Sequence, residues 1–391
     1  MKYLESNLFN LSKDFSLIEF IPKEASEGLW EAYYDLSEII FRELNHKGRL
    51  PDRAVVRRLF STPNPLYSIK RWMAFDEEER GIAFASISYD TELSPDYESN
   101  KHVCQISISV APIYRRKKIA TFLLRHMVEI ARLLHRDTVH GEVDNPIALH
   151  FCKHLRGELI HEEVQHRLYM EDVDWQLVGK WLQRGRTKSH DTKVEFFREC
   201  PEKDIEEFCR TYTEIINQRP IGDMEQELIT TPASRRIEER NLKKRGIEWY
   251  TIISREYDGR ISGLTDIMYN QEEPYRVNQY FTGVLAQYRR RGLAKRLKAE
   301  MLAAIKNRFP DVEYITTSTA RTNRPMRSIN KELGFQPTKT LFTFRWALPD
   351  LEKRADVILK GLNRSRNSQS RPVLPEAAPH LHRRRGGTCR S

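Results

Sequence analysis

The chain carries the same segment twice, and this repeat limits its possible folds more than any other feature of the sequence. One copy, beginning at Tyr114, reads Tyr-Arg-Arg-Lys-Lys-Ile-Ala, and the other, beginning at Tyr288, reads Tyr-Arg-Arg-Arg-Gly-Leu-Ala. Each copy follows an apolar stretch that ends in a valine, Val110 or Val284, and each leads into the spacing of an amphipathic helix. A duplication of this length predicts two folded halves with the same architecture.

Both copies have the composition of a phosphate-binding turn. When a basic turn leads from a strand into a helix, the free backbone N–H groups of the first helical turn point at one place, where the helix dipole is also positive. Small residues allow the backbone to approach a ligand closely. We therefore expect an anion-binding cradle in each half.

The same secondary structure is predicted around both cradles. A hairpin precedes each cradle, and a short strand follows the helix after it, because runs rich in β-branched and aromatic residues alternate here with turn residues. An asparagine then opens a further helix in each half. The predicted hairpin strands are 69–75 and 81–89 in the first half and 249–256 and 261–269 in the second, and the later strands are 140–143 and 314–317.

These elements resemble the GCN5-related N-acetyltransferases, whose pyrophosphate signature is Arg/Gln-x-x-Gly-x-Gly/Ala, with a later asparagine segment and a closing Gly-Phe. Arg289, Gly292 and Ala294 match the signature, and Asn323 and the pair Gly334-Phe335 match the later segments. The tandem arrangement is similar to that of mycothiol synthase and related bacterial acetyltransferases. The resemblance covers nearly the whole chain apart from about the last forty residues.

The resemblance implies an α/β (α+β) fold with two tandem acyl-CoA N-acyltransferase (GNAT) domains, each a mixed, mostly antiparallel sheet flanked by helices. It also implies acetyl-CoA as co-substrate and no metal. The residues expected to bind the cofactor lie in the second cradle and at the later asparagine. They are Val284, Leu285, Ala286, Arg289, Arg290, Arg291, Gly292, Leu293, Ala294, Lys295 and Asn323.

The two cradles differ at one critical position. The second half has Gly292 where the backbone comes closest to the diphosphate, whereas the first has Lys118, whose Cβ is expected to crowd the turn although its ammonium could pair with phosphate. The first half also lacks the closing Gly-Phe and reads Leu155-Arg156-Gly157 instead. We therefore expect catalysis in the second half and a degenerate first half. A first half that still binds CoA is the alternative.

Acetyl transfer to an amine needs a neutral amine, stabilisation of the oxyanion, and a proton or hydrogen bond for the leaving thiolate. Positioning supplies much of the rate, and no covalent enzyme intermediate is needed. Many members of the family carry a thiolate-protonating tyrosine seven residues after the asparagine, but Asn330 occupies that position here. Asn330 can donate only a hydrogen bond. The candidate base is Asp266, with a structural ion pair as the alternative, and the candidate proton donors are Tyr280 and Tyr269.

Composition shifts suggest how the chain is divided. The stretch after residue 183 has linker composition, and helical patterns begin each half. The end of the chain is rich in Ser, Pro and Gly, so we expect disorder from about residue 363. The expected divisions are an N-terminal domain over 1–183, a linker over 184–192, a C-terminal domain over 193–348 and a basic C-terminal extension over 349–391.

Charge and cysteine usage limit the class of protein. The net charge is +10, but seven arginines and one acid lie after residue 362, so most of the excess charge belongs to a tail that we interpret as a solvated extension. Binding of nucleic acid is therefore not expected, although this tail could make a weak contact with RNA or anionic lipid. Five cysteines without a Cys-x-x-Cys pair argue for a reducing compartment and against a zinc site. With no signal peptide and no apolar run of membrane length, we expect a cytoplasmic protein.

These observations predict an N-acetyltransferase that moves an acetyl group from acetyl-CoA to an amine of a small molecule or peptide, by direct attack in a ternary complex. One alternative is a non-catalytic acyl-CoA-binding regulatory protein. Another is an aminoacyl-tRNA-dependent peptidyl transferase, since such enzymes also pair two of these folds. The intact signature from Arg289 to Ala294 disfavours the last alternative, which would not need it.

Overall fold

The computed structural model describes residues 15–44, 48–220, 222 and 228–369. Within these ranges twelve strands form one continuous sheet, against which the helices pack. The strands are β1 (Ser16–Glu19), β2 (Tyr67–Phe75), β3 (Gly81–Asp90), β4 (Val103–Val110), β5 (Thr138–Val143), β6 (Glu158–Tyr169), β7 (Lys193–Phe197), β8 (Ile247–Arg255), β9 (Ile261–Asn270), β10 (Arg276–Val284), β11 (Tyr314–Ala320) and β12 (Gln336–Ala347).

The helices repeat in the same order in both halves. Two helices precede the first hairpin of each half, one follows the cradle, and one begins at the later asparagine. They are α1 (Glu27–Leu44), α2 (Arg53–Ser61), the short α3 (Tyr97–Asn100), α4 (Ile119–Leu133), α5 (Pro146–His154), α6 (Trp175–Lys188), α7 (Ile205–Asn217), α8 (Pro232–Lys244), α9 (Leu293–Arg308), α10 (Arg324–Glu332) and α11 (Leu348–Gln369).

Each half forms the expected mixed, mostly antiparallel sheet flanked by helices. The predicted hairpins are β2–β3 and β8–β9, and both are antiparallel. The only parallel pairs among the described strands are β4 with β5 and β10 with β11. Both later asparagines cap a helix, since the side chain of Asn145 accepts from Ala148 N and that of Asn323 accepts from Met326 N. The fold class expected from the sequence is therefore confirmed.

The strand order shows that the two halves exchange their last strands. The order is β1-β2-β3-β4-β5-β12-β6-β11-β10-β9-β8-β7. Strand β12, from the end of the second half, pairs with β5 of the first, and β6, from the end of the first half, pairs with β11 of the second. The exchanged strands are twelve residues long and also pair with each other. Each half-sheet is thus completed by a strand from the other half.

The helix after each exchanged strand also packs on the other half. Helix α11 packs on α4, where Leu351 and Ala355 are buried in the first-half core and Arg125 forms ion pairs with Glu352 and Asp356, both at 3.0 Å. Helix α6 packs in the same way on α9 of the second half. The exchange therefore includes a strand and a helix from each half.

The segment expected to be a linker, 184–192, is helical as far as Lys188. The Asp174 side chain accepts from the first N–H groups of α6, which fixes its start. Gly185 does not end the helix but lets it pack closely on its neighbour, because a Cβ at this position would meet the Arg296 side chain at 2.7 Å. Most of the segment with linker composition is therefore the end of a helix that packs closely on its neighbour.

The C-terminal extension also differs from its expected form. Its first part is α11, which belongs to the first-half core and ends at Gln369, beyond the point where disorder was expected to begin. The rest of the expected disordered tail, 370–391, lies outside the described residues. Of the helices that the structure describes, none is long and apolar enough to cross a membrane. The cysteines at 104, 152, 200 and 209 are buried free thiols.

The exchange predicts where the chain can be shortened. Ending the chain at Arg364 keeps the described packing of α11 and should leave the melting temperature unchanged. Ending it at Ala347 removes Leu348, Leu351 and Ala355, which are 6%, 1% and 0% exposed, and should lower the melting temperature by roughly 10 °C or more. Calorimetry on both proteins checks this. Equal melting temperatures for the two truncations would contradict the assigned role of α11.

Candidate active site

The cradle after β10 has the backbone geometry of an anion site. Arg290 and Gly292 adopt left-handed conformations with φ of +66° and +82°, and α9 begins at the next residue. The first N–H of this helix with an intrahelical acceptor is that of Arg296, which donates to Gly292 O at 3.0 Å. The N–H groups of residues 293–295 have no acceptor within the described part of the chain. Three adjacent free donors at a helix N-terminus favour an anion.

The basic side chains of the cradle mostly hold the turn in place. Arg289 donates from Nε to Val284 O at 3.1 Å and from Nη2 to the Gln218 side chain at 2.6 Å. Arg291 is paired with Glu256 at 2.9 Å. Lys295 is likewise engaged by Glu332, whereas Arg290 is exposed. The free donors of the cradle are therefore mainly backbone N–H groups, with these side chains positioning them.

Next to the cradle the sheet opens. Strands β10 and β11 pair only through residues 276–278 and 314–316 and then diverge, so their later residues line a cleft. Asn330 stands on the β11 side, fully buried, where its Nδ2 donates to Thr319 Oγ1 at 3.0 Å. Its Oδ1 has no donor in the portion of the chain described here. The predicted residues Asn323 and Asn330 thus lie along α10, and the cradle residues lie at the end of β10.

The first half repeats this turn with Arg115 paired to a carboxylate and Lys118 bound to a carbonyl. Arg116 and Lys118 have φ of +62° and +63°, close to the values in the second cradle. Lys118 Nζ donates to Ile358 O on α11 at 2.6 Å, and both terminal nitrogens of Arg115 bind Glu43, at 2.6 and 2.5 Å. Pairing with Glu43 neutralises the arginine, and the lysine points at a carbonyl. The first cradle therefore matches the second in its backbone donors and differs from it in what its side chains bind.

The expected crowding by a Cβ within the turn itself is wrong. A Cβ added at Gly292 would meet nothing within 4 Å, and Lys118 adopts the same conformation with its side chain in place. What a side chain costs at this position is the left-handed backbone, which is of order 1 kcal/mol for a non-glycine residue. The open space beside Gly292 is available to a ligand and would be filled by a side chain.

Asp266 on β9 is fully buried beneath the cleft. Thr251 Oγ1 donates to its Oδ1 at 2.6 Å. Its Oδ2 receives no hydrogen bond of good geometry from any described residue, and Trp249 and Tyr212 face this carboxylate. Burial raises the pKa of Asp266 to about 6, against the opposing charge of Arg235. A carboxyl group with this pKa can take up and release a proton near neutral pH.

Tyr280 occupies a bulge in β10. The pairing of β10 with β9 shifts between Gln279 and Phe281, so Tyr280 has no partner across the ladder and projects into the cleft, where half of its surface is exposed. The surrounding protein raises the pKa of Tyr280, and the carboxylates of Glu238 and Asp266 raise it further. The structure therefore brings the predicted pair Asp266 and Tyr280 to one place. Tyr269, the other candidate, is buried against Phe309 at 4.3 Å between ring centroids.

The corresponding place in the first half lacks these groups. The two halves can be aligned on the residue that pairs with the valine at the end of each cradle strand. In this alignment Ser86 corresponds to Asp266, and Arg71, which pairs with Ser86, corresponds to Thr251. The pairing of β3 with β4 is regular and contains no bulge. The space is filled by packed aromatic rings: Phe20, Trp30, Tyr33, Tyr34, Phe60 and Phe84. These differences favour chemistry in the second half.

Several residues near the site carry no clear signal in the sequence. Arg235 and Glu238 belong to helix α8, whose many charged residues indicate a solvent-exposed helix. Tyr212 lies among the apolar positions of α7, which indicate a core residue. Glu163 belongs by sequence to the first half and reaches the second only through the exchanged strand. On the other face of β10, Lys298 is buried, which lowers its pKa to about 7, and it donates to Gln279 Oε1 at 2.7 Å.

The described residues contain no group of three or more His, Cys, Asp or Glu side chains arranged to hold a metal ion.

Comparisons with solved structures give the fold. The chain is similar to a tandem GNAT protein from the clavulanic acid biosynthesis pathway, with 17% identity, 85% of this chain and 98% of that chain covered, and a TM-score of 0.67. It is similar to a GCN5-related N-acetyltransferase from Sphaerobacter thermophilus, with 14% identity, 85% and 96% coverage and a TM-score of 0.60. Yeast (Saccharomyces cerevisiae) N-myristoyltransferase with bound myristoyl-CoA gives 10% identity, 86% and 78% coverage and a TM-score of 0.51.

A search of curated proteins finds no match to the chain. The family model for the acetyltransferase (GNAT) family matches twice, over residues 30–157 and 212–335. Both matches end one residue before an exchanged strand, β6 or β12. The repeat in the sequence, the two cradles in the fold and the two family matches agree, and the chain belongs to the acetyltransferase (GNAT) family as a tandem member.

Proposed function

We propose that the second half of this acyl-CoA-dependent N-acetyltransferase moves an acetyl group from acetyl-CoA to an amine of a small molecule or peptide. The observation that carries this proposal is the coincidence, in one half only, of a cradle open at Gly292 and a buried, partly unpaired Asp266. The first half has neither. The free space and the free N–H groups of residues 293–295 fit a diphosphate.

The chain's own groups suggest how the reaction runs. Acetyl-CoA supplies a thioester carbon that a neutral amine can attack. The free N–H groups of the second cradle hold the diphosphate, which positions the thioester in the cleft between β10 and β11. Asp266 accepts the proton from the attacking nitrogen, directly or through water, as the new N–C bond forms and the C–S bond breaks. Tyr280 donates a hydrogen bond or a proton to the leaving sulfur, and Asn330 orients the wall of the cleft.

The same observations separate this function from its alternatives. A regulatory protein that only binds acyl-CoA has no use for a buried carboxylate with a pKa near 6, because its burial lowers stability at neutral pH. A tRNA-dependent transferase has no use for an open diphosphate cradle. The end of the C-terminal tail, 370–391, through which a weak nucleic-acid contact was considered, lies outside the described residues.

The cradle proposal predicts a change in acetyl-CoA affinity. Gly292→Asp places a negative charge in the open space beside the free N–H groups, and should weaken acetyl-CoA binding by well over tenfold through repulsion of the diphosphate. Aspartate tolerates the left-handed conformation better than most residues, so the fold should persist. Calorimetric titration of the full chain measures the effect.

Two variants serve as controls for that titration. Gly292→Asn has nearly the same shape without the charge and should lose less affinity. Lys118→Asp makes the matching change in the first cradle and should leave acetyl-CoA binding unchanged. Unaltered affinity in Gly292→Asp, or a comparable loss in Lys118→Asp, would show that the diphosphate binds elsewhere.

The assignment of Asp266 as base predicts a change in pH dependence. Because its carboxyl must be ionised and the acceptor amine must be neutral, log kcat/KM should rise with a slope of two below about pH 6 and a slope of one above it, for an amine of high pKa. Asp266→Asn should lower kcat/KM by at least about 100-fold and leave a slope of one throughout. Equal profiles for the two proteins would remove Asp266 from the proton transfer.

Burial of this carboxyl also predicts that Asp266→Asn, which should lower activity, raises the stability of the fold. The folded-state pKa of about 6 lies above the ordinary value of 3.8, so the folded protein binds the proton more tightly and loses stability as the pH rises through this window. Asp266→Asn removes the cost and should make the protein roughly 1 to 3 kcal/mol more stable at pH 8. Chemical denaturation of both proteins at pH 8 measures the difference. A destabilised variant would mean that the carboxylate is well paired in the fold.

A further inference from the structure

Carboxylates from four separate elements face the acceptor side of the cleft. Asp266 lies on β9, Glu238 on α8, Glu163 on β6 and Glu142 on β5. Burial raises the pKa of Glu238, and the nearby carboxylates, including that of Asp266, raise it further. Burial also raises the pKa of Glu163, against the opposing charge of Arg219 and with a smaller contribution from Glu142, and the charge of Glu163 in turn acts on Tyr280. Carboxylates from both halves of the chain therefore act on one residue of the cleft, Tyr280.

The register of the exchanged strands explains why two of these residues reach a site in the other half. Thr343 of β12 pairs with both Glu142 and His161, and Glu163 follows His161 by two residues, so Glu142 and Glu163 project from the same face of the sheet. Glu163 also pairs with Ala320, at the end of β11 beside the open cleft. The exchange therefore places the first-half carboxylate of Glu163 at the mouth of the second-half site, with Glu142 further along the same face of the sheet.

Few cations are available to balance these charges. Arg235 is fully buried, donates to Glu239 at 2.9 Å and lies over the Trp249 ring at 3.4 Å, so its charge is already engaged. Arg219 donates from Nε to Ile216 O, and its charge acts on Glu163 and Tyr280. Lys339 lies near Glu142 but is already paired with Asp144 at 2.8 Å. The cleft is thus acidic overall.

An independent feature indicates what the cleft binds. The Oδ2 atom of Asp266 is completely buried and receives no hydrogen bond of good geometry from a described residue, although Trp249 and Tyr212 face the carboxylate. The Asp266 charge also acts on both Glu238 and Tyr280, which places these two residues near it. A buried carboxylate oxygen without a donor is costly, and a ligand N–H group would satisfy it. The surrounding carboxylates would stabilise further positive charge on that ligand.

We propose that the acceptor is a di- or polyamine, with its reacting nitrogen at Asp266 and a second, protonated nitrogen held by Glu163 and Glu238. The inference rests on the proposed function and names the substrate class of the same site. A monoamine would leave the outer carboxylates without a partner, and an acidic acceptor would be repelled. The exchanged strand β6 then determines specificity, because it supplies one of the two outer carboxylates.

Binding of spermidine to the full chain at pH 8 and moderate salt tests this inference without depending on turnover. Calorimetry should give a measurable affinity that falls about tenfold in each of Glu163→Gln and Glu238→Gln, since each removes a charge-assisted contact. The matched control is Glu162→Gln. Glu162 is the neighbouring carboxylate on the same strand, points to the opposite face and pairs with Arg321 at 2.6 Å. Its loss should leave spermidine binding unchanged.

Three results would overturn the inference: no spermidine binding at millimolar concentration, unchanged affinity in Glu163→Gln and Glu238→Gln with melting temperatures intact, or an equal loss in Glu162→Gln.

An acetyl-transfer assay distinguishes failure of this inference from failure of the proposed function on which it rests. With 1,4-diaminobutane and butylamine as acceptors, kcat/KM should be at least about tenfold higher for the diamine. Transfer at equal rates to both would contradict the substrate class and leave the enzyme assignment. Specific spermidine binding without transfer to any amine would contradict the proposed function and leave the binding site.

Discussion

The pairing of β6 with β12 at the centre of the sheet is the interaction on which the rest of the architecture depends. Each strand is twelve residues long and pairs on both sides, so it joins the two halves and completes the half-sheet of the other. The helix that follows each strand must then pack on the partner half. Neither half can be closed by its own residues alone, and the acceptor cleft receives side chains from both.

Duplication produced two cradles with nearly the same backbone and different electrostatics. In the second, the turn leaves an open space and free N–H groups, and a buried carboxylate lies beneath the neighbouring strands. In the first, Glu43 neutralises Arg115, Lys118 is bound to a carbonyl of α11, and aromatic rings fill the acceptor space. The first half thus stabilises the assembly through packing, and in our proposal the second performs the chemistry.

The sequence predicts what local interactions determine. Hairpins, the two asparagine caps and the turn before each central helix follow from residue patterns within about twenty positions, and all are present. The exchange could not be predicted, because β6 would pair equally well, as a pattern, with a strand of its own half. For the same reason Glu163 was missed. Gly185 lies in the stretch interpreted as a linker, although it permits close packing with Arg296. Lys118 indicated a crowded turn, although a Cβ at the matching position of the second cradle, Gly292, would meet nothing within 4 Å.

The central claim is that the duplicated chain has one functional cofactor site, in the half where the cradle is open at Gly292 and the buried Asp266 lies beneath the neighbouring cleft. The stoichiometry of acetyl-CoA binding to the full-length protein, measured by calorimetry at protein concentrations far above Kd, tests it most directly. The account predicts one acetyl-CoA per chain. Two equivalents of comparable affinity would contradict it, because the first cradle would then bind the diphosphate as well as the second.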